Sequence, residues 1–141
     1  MPFLLNSKSI KSLQGVNMGN NEKFSTNYDS KNMVLTGIVL PDNIGKEDAK
    51  EIYDITEKVV KEFPDYNDYI LDAGNVSDIS IDSLGYLMKS LGAVKRTAGY
   101  MVLVMKEEVL QKFMLTNPEM FDFFAVFFNN KDALEFILSK R

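Results

Sequence analysis

Tyr69-Ile70-Leu71-Asp72-Ala73-Gly74-Asn75-Val76-Ser77-Asp78-Ile79-Ser80-Ile81-Asp82-Ser83-Leu84-Gly85 is the stretch whose reading decides the fold of this chain. It opens with Tyr69-Ile70-Leu71, a short apolar run that reads as a buried strand. Asp72-Ala73-Gly74-Asn75 then supplies turn chemistry. Beyond Ser80 the pattern changes. Leu84, Leu87, Met88, Leu91 and Val94 recur at three- and four-residue steps, the spacing of one helix face. Gly99 is read as the residue that closes this helix. A strand followed by a helix, with a capped start between them, is the building unit of a parallel α/β sheet.

Working outward, the same unit repeats. Phe24 to Tyr28 reads as a short strand, Asp29-Ser30-Lys31-Asn32 as a turn, and Met33 to Val39 as a second strand. Ala49, Ile52, Ile55, Val59 and Phe63 mark a first helix from Lys46 to Phe63, which Pro64 ends. Met101 to Val104 is the clearest buried strand. Val109, Leu110, Phe113 and Met114 mark a third helix, ended near Asn117-Pro118. Phe123 to Phe128 reads as a last strand, and Asp132 to Leu138 as a terminal helix capped by Asn129 or Asn130. The predicted order is β-β-α-β-α-β-α-β-α. It implies an α/β fold: a four- or five-stranded mixed sheet, mainly parallel, with about four helices packed against it.

Composition sets the outer limits. A chain of 141 residues suggests one domain and can bury a core without disulfides or metals. There is no cysteine, which removes thiolate chemistry and disulfides, and no histidine, which removes the commonest general base and neutral metal ligand. No run approaches the roughly 20 apolar residues of a membrane span. The start, Met1-Pro2-Phe3-Leu4-Leu5, lacks the basic region of a signal peptide, so a cytoplasmic protein is expected. A net charge of −4 argues against nucleic acid as a ligand. Residues 1–21 carry Lys8 and Lys11 and no acid, and read as a poorly ordered arm ahead of a domain over 22–141. Lys46 to Asp72 holds four lysines against nine acids, so one flank of the domain is expected to be acidic. Phe121, Phe123, Phe124, Phe127 and Phe128 exceed what one strand face can bury, and the arm or a second subunit could cover the rest.

The order of elements and the wording of the central stretch resemble the STAS domain, the family of anti-sigma factor antagonists and of the cytoplasmic domains of sulfate transporters. The text that carries the resemblance is Ile70-Leu71-Asp72, then Val76 to Gly85, then Ala98-Gly99 and the strand Met101 to Val104. It spans roughly residues 24–138. Family members place a phosphorylated serine at the start of the second helix, within Asp-Ser-Ser-Gly. Laying Asp82-Ser83 on the Asp-Ser of that motif would make Ser83 the acceptor, but puts Lys89 on a core position. A two-residue slip turns a helix by about 200°, which a buried face does not tolerate. Laying Ser80-Ile81-Asp82-Ser83 on the motif needs no gap from Val76 to Val104. Ile81 then stands where the family keeps its serine, and Ser80 where it keeps the aspartate.

The resemblance implies regulation by protein binding, with no catalytic residues, no cofactor and no metal. The partner it implies is an anti-sigma factor or a serine kinase, and a homo-oligomer is compatible with it. Asp78, Ser80, Ile81, Asp82, Ser83, Tyr86 and Lys89 are the expected contact residues, with Ser80 and Ser83 as candidate phosphorylation sites. The residues themselves support a simpler role as well. Ser80 is a good helix N-cap, and Asp82 in the first turn complements the helix dipole. The alternative function is an unphosphorylated scaffold or accessory subunit in a stress-signalling or lipid-transport assembly. Asp72 is expected to hydrogen-bond the turn that follows it.

Overall fold

In a computed structural model, residues 23–93, 99–121 and 125–141 are described. The strands are β1 (Phe24–Asp29), β2 (Val34–Val39), β3 (Asn43–Ile44), β4 (Asp68–Ala73), β5 (Asp78–Ile79), β6 (Met101–Met105) and β7 (Ala125–Phe127). The helices are α1 (Lys46–Glu62), α2 (Ile81–Ala93), α3 (Glu107–Met114) and α4 (Asn130–Ser139), with a 3₁₀ turn at Pro118–Phe121. Five strands form one sheet in the order β1-β2-β4-β6-β7. β1 is antiparallel to β2, and the other neighbours are parallel. The α/β fold class, with its mixed and mainly parallel sheet, is the one the alternation of elements predicts.

Strand alternation divides the sheet into two faces. Leu35, Tyr69, Leu71 and Leu103 point to one. They meet Ala49, Ile52 and Val59 of α1, Leu84 and Leu87 of α2, and Val109 and Phe113 of α3. Val34, Ile70, Val102 and Val104 point to the other, where Ala133 and Ile137 of α4 cover them. Full burial of each leucine is worth about 1.5–3 kcal/mol, so the larger face supplies most of the cohesion.

Local chemistry fixes the element ends. At the start of α1 the Gly45 N–H donates to Asp48 Oδ2 at 3.1 Å, and Lys23 pairs with Asp48 at 2.9 Å. Lys23 and the Gly45 N–H together hold the Asp48 carboxyl below its ordinary range. Asn129 caps α4 by accepting the Asp132 N–H at 2.8 Å. Gly37 is forced by packing: a Cβ there would lie 2.4 Å from the Phe24 ring and 2.5 Å from the Tyr69 hydroxyl. That hydroxyl is buried without a hydrogen-bond partner among the described residues, and burial raises its pKa far above the phenol range.

Two features depart from the sequence reading, and a third lies partly outside the described residues. β3 and β5 form a two-residue parallel ladder of their own. Two residues carry no periodic signal, so only the burial of Ile44 and Ile79 distinguishes them. Gly99 follows α2 but acts through close approach: a Cβ there would sit 2.0 Å from Asp68 Oδ1 and 2.5 Å from the Asn67 carbonyl. The last strand is described over Ala125–Phe127, while Phe123 and Phe124, like residues 1–21, fall outside the described residues. Among the described residues no helix is long and apolar enough to cross a membrane.

Candidate functional site

The parallel strands β2, β4, β6 and β7 all end at one edge of the sheet, and their following loops meet there. Ligands of open α/β sheets gather at such an edge. Asp72 leaves the end of β4 half-buried. Its Oδ1 accepts the Gly74 N–H at 2.9 Å, the turn-closing bond expected of it. Its Oδ2 accepts from Asn130 Nδ2 at 3.2 Å, a contact to α4 that the sequence does not announce.

Beyond that turn the chain is tied to the loop after β2. Asn75 Nδ2 donates to the Leu40 carbonyl. The N–H groups of Ser77 and Asp78 both donate to the Asp42 carbonyl, at 2.8 and 3.0 Å. Lys106, at the start of α3, donates to Ser77 Oγ at 2.7 Å. The β3–β5 ladder therefore locks two loops into one rigid corner, directly before α2.

Helix α2 begins as a capped helix should. Ser80 Oγ accepts the Ser83 N–H at 3.2 Å, and the Ser80 carbonyl accepts the Leu84 N–H at 2.9 Å. Asp82 lies in the first turn, where its charge faces the positive end of the helix dipole. Leu84 and Leu87 are buried and Met88 is partly buried, while Lys89 is exposed. The spacing of Leu84, Leu87 and Met88 thus marks the buried side of α2, and Lys89 lies off it.

The predicted contact residues separate by this face. Asp78, Ser80, Ile81 and Asp82 are exposed together at the corner, and Ile81 keeps 41% of its surface open. Tyr86 is half-buried, and Lys89 is exposed with its Nζ 5.0 Å from the centre of the Tyr86 ring. Asp82, Tyr86 and Lys89 stand at i, i+4 and i+7, on one outward stripe. Ser83 departs from the expectation of an accessible hydroxyl. It is fully buried, and its Oγ lies 3.0 Å from Ser80 Oγ in a hydrogen bond. The periodicity that buries Leu84 and Leu87 carries Ser83 inward with them.

A site that sequence reasoning missed lies at the opposite end of β4. Asp68 is almost wholly buried, yet its oxygens are engaged by the Tyr100 N–H at 2.7 Å, by Asn67 Nδ2 at 3.0 Å and by the Arg141 guanidinium. The available signal was Gly99, whose missing side chain makes room for this carboxylate.

Comparison with known proteins turns on the fold. No family model matches the sequence, and no curated protein matches it either. A solved structure from Thermotoga maritima, described as a candidate anti-sigma factor antagonist, superposes with a TM-score of 0.56 at 22% identity. The match covers 82% of this chain and 94% of that one. The fold is STAS-like. The STAS-like arrangement is thus supported by the course of the backbone as well as by the wording of the central stretch.

Proposed function

We propose that this chain is a regulatory protein–protein interaction module of the anti-sigma factor antagonist type, acting in the cytoplasm by occupying an anti-sigma factor or a serine kinase. Binding, not catalysis, carries the function, and transcription is the process regulated by such partner switching. The observation that carries this reading is the exposed corner of Asp78, Ser80, Ile81 and Asp82 on a capped helix, locked to its neighbouring loops within a STAS-like fold. An apolar side chain ringed by polar groups on a rigid element is the composition of a binding hot spot.

Phosphorylation falls on Ser80 in this reading. A phosphate there adds about −1.5 to −2 charges at pH 7 next to Asp82, which would repel an acidic partner surface and release it. Ser80 is an exposed residue, whereas Ser83 is enclosed. A second reading, an unphosphorylated scaffold subunit, draws on a specific observation: Ser80 Oγ is already spent on the helix cap and on a hydrogen bond to the buried Ser83 Oγ. Incubation with the serine kinase of the source cell, followed by mass spectrometry and a binding assay, separates them. Phosphate on Ser80 with loss of partner binding is the expected result. An unmodified Ser80 with binding intact would leave the scaffold. Capture from the source cell that yields neither an anti-sigma factor nor a kinase would contradict the antagonist reading itself.

A further inference from the structure

Asp68 and Asp72 lie four residues apart on β4, so their side chains point to the same face of the sheet. Ile70 stands between them, under Ala133 and Ile137 of α4. Each aspartate holds one end of that helical segment. Asp72 Oδ2 accepts from Asn130, the first residue of α4, at 3.2 Å. Asp68 Oδ2 accepts from Arg141, just beyond its last turn. The helix has ten residues, too few to be stable alone. Of these, Ala133 and Ile137 are fully buried. Leu134 and Phe136 pack partly buried beside them, with the Phe136 ring 5.2 Å from those of Tyr100 and Phe127, so the helix is held by an apolar face in its middle and by a carboxylate at each end.

The contact at Asp72 serves two masters. While Oδ2 holds α4, Oδ1 holds the Gly74 N–H, and the Gly74-Asn75 turn leads through the β3–β5 ladder into the cap of α2. We propose that α4 is a releasable strap, clasped at both ends by the carboxylates of β4, whose docking stiffens the turn before α2. When the strap is seated, the Asp72 carboxylate is fixed from both sides. When it lifts, the carboxylate keeps the turn but loses its anchor, and the corner of Asp78 to Asp82 loosens. Local opening of a short helix packed on one face of a sheet is a low-cost motion for such a fold. The coupling runs through one shared side chain, Asp72, which bonds both the turn and the helix.

The test is amide hydrogen exchange of the full chain, read by mass spectrometry in the wild type and in Arg141→Gln. The substitution lies at the far end of the strap from the turn. Leaving Asp68 without its cation is expected to speed exchange across residues 130–139 by about tenfold or more. Residues 74–80 should accelerate with them, by a smaller factor, while β1 and β2 keep wild-type rates. Asn130→Ala, which cuts the contact to Asp72 and spares Arg141, should speed residues 74–80 as well. Acceleration of the strap alone would overturn the coupling. Unchanged exchange in 130–139, or uniform acceleration that includes β1 and β2, would overturn the strap. The readout is exchange, not binding, so its failure is distinct from a failure of the functional proposal.

Discussion

The two ends of β4 use the same residue type for opposite ends. Asp68, at the start of the strand, is buried and saturated by a backbone N–H, an amide and a guanidinium. Asp72, at its finish, is half-buried and shared between a turn and a helix. A buried carboxylate must be fully partnered, because an unpaired charge in the interior is costly. A carboxylate at the strand's open end can instead shape a surface. The first end is built for stability, and the second leaves polar and apolar groups open at the surface.

Substitutions can break this contrast, and the largest effect belongs to the buried end. Gly99→Ala forces a Cβ against Asp68 Oδ1 and the Asn67 carbonyl, which is backbone and cannot step aside. It should destabilise by about 3 kcal/mol in urea denaturation. Arg141→Ala strips the cation from Asp68. A fully buried pair would lose more, but the Arg141 side chain is 35% exposed, so a loss of about 2 kcal/mol is expected by the same measurement. Ser80→Ala, at the open end, removes the cap of α2 and should cost about 1 kcal/mol. Ile81→Arg touches nothing buried and should change stability by less than about 0.5 kcal/mol, while partner binding falls at least tenfold. An equal stability cost at both ends would dissolve the contrast, and a large one for Ile81→Arg would mean that the corner is structural.

Much of this was legible in the sequence, for reasons that can be named. The α1 and α2 faces follow from three- and four-step spacing, and β6 from an uninterrupted apolar run. The register of α2 follows from Lys89, since a lysine on the core face is untenable. What stayed hidden was held by contacts distant in sequence. Nothing local marks Asp68 as buried, because its partners Tyr100 and Arg141 are 32 and 73 residues away. The β3–β5 ladder is too short to show a period. The burial of Ser83 was implicit in the helix face, yet a serine beside an aspartate draws the eye as a surface site. Gly99 was noticed as a helix terminator, and its second role, as space for a carboxylate, went unread, since only the distant Asn67 and Asp68 reveal it.

The claim that binding occurs at the corner before α2 meets its most direct test in site-specific photocrosslinking within the source cell. A photoreactive side chain would replace Ile81 in one variant and Leu115 in another. Both positions expose apolar surface, and Leu115 exposes more of it at 86%. Exposure alone would favour an adduct at Leu115. A discrete protein adduct from position 81, with none from position 115, is the predicted result. An adduct from position 115 and none from position 81 would contradict the account.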